Sequence, residues 1–251
     1  MFGKILYYDK KTVDEYMSII DGNKIVNVES YDVSNDKGIK ADLKVISADS
    51  KASKSYTAKV QESIIYDCYE FEKKLTGRDD YFDVSSSDDY DIATVPRGYI
   101  MKIDGIVSIP EQFDMVKLID QFKPLIMPSI TAGEEDQTTS DLLKALFTDA
   151  KATKIPVVIE TENDLLCGKL KAENLMVDYS ELEECEDSEV TVLVRSASNG
   201  KYNASKAYYD PLKDFLNLNR MMRRQVDNNG EFGSLCVEEE YKPVDILAIY
   251  T

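Results

Sequence analysis

The strand-like stretches of this chain come in pairs separated by only a few turn-forming residues. Residues 24–33 and 39–47 alternate apolar and polar side chains on either side of a turn at 35–38. Residues 98–109 form another such stretch, interrupted by Asp104-Gly105, and 156–161 is followed closely by 165–170. Links this short join antiparallel neighbours, because a parallel pair needs a crossover of about a dozen residues or more. Amphipathic helices are interspersed with these pairs. The pattern predicts an α+β fold with mixed or antiparallel sheets and packed helices, not a doubly wound parallel sheet. Neither G-x-G-x-x-G after a strand nor G-x-x-x-x-G-K-[ST] occurs, so the two common phosphate-loop folds have no support.

The helices are marked by spacing and caps. Thr12-Val13-Asp14-Glu15 has the form of a capping box, and Val13, Tyr16, Met17 and Ile20 recur at helical steps up to Gly22. Residues 60–75 repeat Ile64, Ile65, Cys68, Phe71 and Leu75 three and four apart, which calls for one buried face. Pro110 opens a helix with Phe113, Val116, Leu118, Ile119 and Phe122 at its buried positions. Further helices are expected at 140–150 and 211–224, and further strands at 4–9, 190–195 and 244–250. A stretch rich in Pro, Gly, Ser, Thr and acids runs through 129–139. It divides the chain into an N-terminal α+β lobe, 1–128, and a C-terminal α+β lobe, 140–251, which holds a basic helix.

Histidine is absent from all 251 residues, which excludes within this chain a Ser-His-Asp triad, a Cys-His dyad and an H-E-x-x-H zinc site. The net charge of −17 excludes a generally basic nucleic-acid binder and a polybasic membrane anchor. Cys68, Cys167, Cys185 and Cys236 are scattered without a C-x-x-C pair, so they make neither a zinc site nor a disulfide framework. No signal-peptide core and no uncharged apolar run of membrane-spanning length is present. These features imply a cytoplasmic protein with reduced thiols, no cofactor and no membrane partner.

Several segments together carry a family resemblance. They are Ile5-Leu6-Tyr7-Tyr8-Asp9 with Val13-Asp14-Glu15-Tyr16, the 38–46 strand before a Ser/Lys-rich loop, and the 98–110 strand leading into a Phe-containing helix. Val190-Thr191-Val192-Leu193-Val194 and Ile246-Leu247-Ala248-Ile249-Tyr250 complete the order. The chain resembles a group of bacterial proteins catalogued as domain of unknown function 6414, with Gly22-Asn23 where a Gly-Gly pair is usual. The resemblance implies a cytoplasmic bacterial or phage-borne protein, and the type of family adds a setting in bacteria–phage conflict. It supplies no catalytic residue.

Charge segregation is the main pointer to chemistry. Residues 195–224 hold Arg195, Lys201, Lys206, Lys213, Arg220, Arg223 and Arg224 against Asp210 and Asp214, a net of +5 in a chain of −17. Lys213, Arg220 and Arg224 fall on one face of the expected helix, beside a Leu212/Phe215/Leu216/Met222 face. Arginine forks match phosphate and carboxylate oxygens, so Arg195, Lys213, Arg220, Arg223 and Arg224 are candidate ligands for an anionic molecule, with Tyr208 beside them to stack a base. Nucleic acid would be met only locally at this helix. The same cations also suit ion pairing to carboxylates and the helix macrodipole.

Six aspartates between Asp79 and Asp91 offer hard oxygen ligands, but their spacing does not fit a calcium loop, and a solvated loop is the expectation. The cluster Glu181, Glu183, Glu184, Glu186 and Asp187 reads the same way, and Cys167 reads as a buried strand residue. The function expected is therefore non-catalytic binding or regulation with an anionic ligand. The alternatives are an acidic protein that engages a basic partner and, third, a carboxylate–metal enzyme.

Overall fold

Among the described residues, seven strands pair into one mixed sheet that closes on itself. The structure is a computed structural model and describes residues 3–22, 63–85, 91–114, 116–118, 122, 153–186, 188–216, 218 and 234–251. In chain order these form β1 (Ile5–Tyr8), α1 (Lys10–Ile20), α2 (Ile64–Leu75), β2 (Tyr81–Asp83), β3 (Ile100–Ser108), β4 (Lys154–Glu160), β5 (Leu165–Lys171), α3 (Tyr179–Glu183), β6 (Glu189–Ser196), α4 (Pro211–Asp214) and β7 (Lys242–Tyr250). The expectations for 24–33, 39–47, 129–139 and 140–150 lie outside the described residues.

The pairing order is β1-β7-β5-β4-β3-β2, and β6 joins β3 to β7. Strands β3, β4, β5, β7 and β6 therefore make a ring. Its interior is filled by Met101, Ile103, Val157, Leu170, Val192 and Ile246, all in the largest apolar cluster. A closed ring leaves these strands few open edges, and alternation then sends every second side chain outward. The outer side of β6 and β7 is covered by α1 and α2 through Leu193, Leu247, Val13, Cys68 and Phe71. Most pairings are antiparallel, as the short links require, while β2–β3 and β5–β7 are parallel. The fold is thus α+β with a mixed sheet. Strands from both sides of 129–139 share that sheet, since β3 pairs with β4 and β6.

Asp104-Gly105 does not make a turn. It lies inside the continuous strand β3, where pairing passes from β6 (through Ile106) to β4 (from Ile106). A side chain at Gly105 would put its Cβ 2.6 Å from the Glu160 carbonyl oxygen. Glycine is there for close approach of two strands, which a sequence pattern cannot distinguish from turn chemistry.

Other departures have equally local causes. Helix α1 starts at Lys10 and is capped by Asp9, whose carboxylate accepts from the Thr12 hydroxyl at 2.8 Å and from the Thr12 amide. Thr12 is therefore inside the first turn and is not the cap. Asp9 is held in place by Lys171 and Asn174 as well, which fixes the helix start against β5. After Pro110, Phe113 and Val116 are buried, but Leu118 and Phe122 are exposed and Ile119 lies outside the described residues. On α2, Ile65 points outward and the buried set is Cys68, Phe71 and Leu75. Among the described residues no helix is long and apolar enough to cross a membrane.

Candidate functional site

The outer face of the β4–β5 hairpin is graded in charge from end to end. Its register pairs Lys154 with Lys171, Pro156 with Lys169, Val158 with Cys167 and Glu160 with Leu165. Because side chains alternate, these eight share one face, while Ile155, Val157, Ile159, Leu166 and Leu170 face the core. Lysines thus mark one end, small apolar residues the middle, and acids the end that turns at 161–164. The turn is closed by the Thr161 amide donating to the Asp164 carbonyl at 3.0 Å and the Asp164 amide donating to the Thr161 hydroxyl at 3.0 Å.

At the acidic end lies a groove of about 660 Å³. Its apolar floor includes Val158, Leu165, Tyr208 and Val237, and its carboxylates are Glu160, Glu162, Asp164, Glu238 and Glu239. Val158, Cys167 and Tyr241 form a small apolar cluster beneath, against which Leu165, Tyr208 and Val237 pack. One carboxylate is already occupied by a cation of the same chain: Lys201 Nζ lies 2.5 Å from Asp164 Oδ1. That bond lifts the Lys201 ammonium above its ordinary pKa and keeps it charged. Among the described residues, Glu160, Glu162, Glu238 and Glu239 have no ion pair. A second groove of about 570 Å³ on the other side of the turn adds Asp104 and Glu189, so both flanks of 161–164 are acidic.

Among the described residues, no three acidic or cysteine side chains converge closely enough to hold a metal ion. The carboxylates of the groove are spread along it, so they suit several separate cationic groups better than one ion. Cys167 is buried beneath the floor, with burial pushing its thiol up to about 12, which makes it an inert packing residue.

Among the described residues, the candidate anion ligands are dispersed. Arg195, on β6, bonds its cross-strand neighbour Asp245 through Nε at 3.0 Å and Nη2 at 2.5 Å, and its Nη1 donates to the Tyr16 hydroxyl at 3.0 Å. This is the ion-pairing role. Tyr208 packs edge-on against Tyr241 and lines the acidic groove. Lys206 lies over the Tyr202 ring, 2.9 Å from its centroid. Lys213 is exposed on α4, whose helical residues are Pro211–Asp214 with Phe215 as C-cap. Arg220, Arg223 and Arg224 lie outside the described residues.

The acidic runs are partly paired. Arg78 grips Asp80 with two bonds, at 2.7 and 2.9 Å, and Asp91 caps a 3₁₀ turn through the Ala93 amide. Glu181 pairs with Lys4, Glu183 with Lys117, and Glu186 accepts from the Ile109 amide at 2.8 Å. The groove itself had no local signature, because segments around 158–165, 208 and 236–239 meet only in the fold.

A family model described as domain of unknown function (DUF6414) matches residues 3–250. No curated protein and no solved structure matches the chain.

Proposed function

The chain belongs to the DUF6414 family, and we propose that it is a non-catalytic binding protein that takes a basic, partly apolar segment of a protein partner. The segment lies in the groove beside 161–164, its Lys or Arg side chains reaching the carboxylates and its apolar side chains resting on Val158, Leu165 and Val237. The observation that carries this is the combination of an apolar floor with four carboxylates that lack an ion pair among the described residues. Lys201 on Asp164 supplies an internal example of the contact an incoming cation would make. Electrostatic complementarity of this kind governs association rate and partner choice, while the apolar contacts supply area removed from water. Four free cysteines, two of them buried, suit the cytoplasm, where thiols stay reduced.

The experiment is a fluorescence-anisotropy titration of the intact protein with a labelled octapeptide of alternating Lys and Leu. A matching Glu/Leu peptide serves as the control. Micromolar binding of the basic peptide is expected, weakening about tenfold or more between 50 and 300 mM salt. Equal affinity for both peptides, or no binding of either, overturns the proposal.

A further inference from the structure

The lysine end of the same hairpin face carries a second site. Lys154 stands directly opposite Lys171, and Lys169 is two residues along the same face. Like charges directly opposite one another on a sheet are destabilising, so such a row needs counter-charge. Two buried carboxylates supply it. Asp214, whose side chain is fully buried, accepts from Lys154 at 3.0 Å and from Lys169. Asp9, whose side chain is 5% exposed, accepts from Lys171 at 2.7 Å. Lys213 adds a fourth ammonium from α4, and its backbone amide donates to Asp210. Glu173 follows β5 and, among the described residues, makes no bond to any of these lysines.

The carboxylates are buried, whereas the Lys154 and Lys171 side chains are 45% and 44% exposed and that of Lys169, the most buried of the three, 28%. The carboxylates therefore hold the lysine side chains and leave part of each exposed. The ammonium groups of Lys154, Lys169 and Lys171 each have three donors and give one to a carboxylate, which leaves further N–H groups for an anion. Lysines opposite each other on paired strands start about 5 Å apart, and those two residues along a strand about 7 Å apart. With flexible four-carbon stems, several ammonium groups starting this close can reach the oxygens of one di- or triphosphate chain together. Burial, with Lys154 and Lys213 close by, also pulls the Lys169 ammonium below its ordinary pKa against its bond to Asp214, a cost that a bound anion would relieve.

We infer that Lys154, Lys169, Lys171 and Lys213 bind the di- or triphosphate group of a small molecule. This site is independent of the acidic groove and lies at the other end of the hairpin. It keeps the anionic ligand expected from the basic segment but builds its site on strand lysines.

Isothermal titration of the intact protein with inorganic tripolyphosphate tests it. Binding is expected, and Lys154→Gln, which leaves Lys169 on Asp214, weakens it about tenfold. Lys213→Gln, which removes an exposed side chain, weakens it about threefold, and Lys11→Gln on α1 leaves it unchanged. The proposal is overturned if tripolyphosphate fails to bind at millimolar concentration, or if Lys213→Gln and a folded Lys154→Gln both bind as the parent does. It is also overturned if a single-stranded RNA decamer binds through Lys154 while tripolyphosphate does not.

Discussion

Replacing Asp214 with Ala lowers the unfolding free energy by about 2–3 kcal/mol, a loss read from the urea midpoint at pH 7. Its side chain has no solvent exposure, and it holds Lys154, Lys169 and the Asp210 amide at once. Removing one partner of a buried pair typically costs about 3–5 kcal/mol because a charge is left without its counter-ion. Here the lysines are 45% and 28% exposed and regain water, so the loss falls at or just below the bottom of that range.

The same residue makes stability depend on acid. Burial opposes ionisation of Asp214, but the hydrogen bond and charge of Lys169, the Asp210 amide and Lys154 outweigh it and hold the carboxyl below the usual range. A carboxyl whose folded pKa is depressed stabilises the fold above its unfolded value, about 3.9, and loses that contribution as pH falls through the folded value. The parent protein therefore loses stability below about pH 4, and Asp214→Asn flattens that part of the pH profile. A variant within 0.5 kcal/mol of the parent at both ends, on the order of a surface substitution, contradicts the assignment.

Reversing charge at three positions, Glu160→Lys, Glu162→Lys and Glu239→Lys, abolishes capture of the Lys/Leu octapeptide, with affinity falling about a hundredfold or more. Placing like charges opposite one another at an interface costs several kcal/mol, and each tenfold step is about 1.4 kcal/mol. All three side chains are exposed and without an ion pair among the described residues, so the urea midpoint should stay within about 0.5 kcal/mol of the parent. The control is the same triple change made on the helices, at Glu15, Glu70 and Asp14, which alters net charge equally and leaves peptide binding within about threefold. Loss of binding in both variants would mean that overall charge, not the groove, attracts the peptide.

The hairpin β4–β5 and the strands β6 and β7 were legible because their apolar residues alternate or run continuously between turn signals. The sequence places the start of α1 a few residues too late. Thr12 and Asp9 are both good caps in sequence, and only the bonds from Lys171 and Asn174 select Asp9. Asp104-Gly105 has the form of a turn in sequence, since a glycine required by a neighbouring backbone looks the same as one required by a positive φ. The basic segment is marked in sequence by its own arginines, but Arg195 is satisfied by Asp245 and Tyr16. The lysines that meet Asp214 come from β4 and β5, 60 and 45 residues away, where nothing local marks them as partners. The acidic groove was hidden for the same reason, since ring closure brings 236–239 against a hairpin that sequence distance keeps apart.

The most direct test of the acidic groove is a methyl NMR titration of the intact protein with the Lys/Leu octapeptide. The methyl signals of Val158, Leu165 and Val237 should shift in saturable fashion, while those of Val13 and Leu247 under the helices stay in place. Saturable binding that shifts Val13 and Leu247 and leaves the groove methyls unmoved would contradict the assignment.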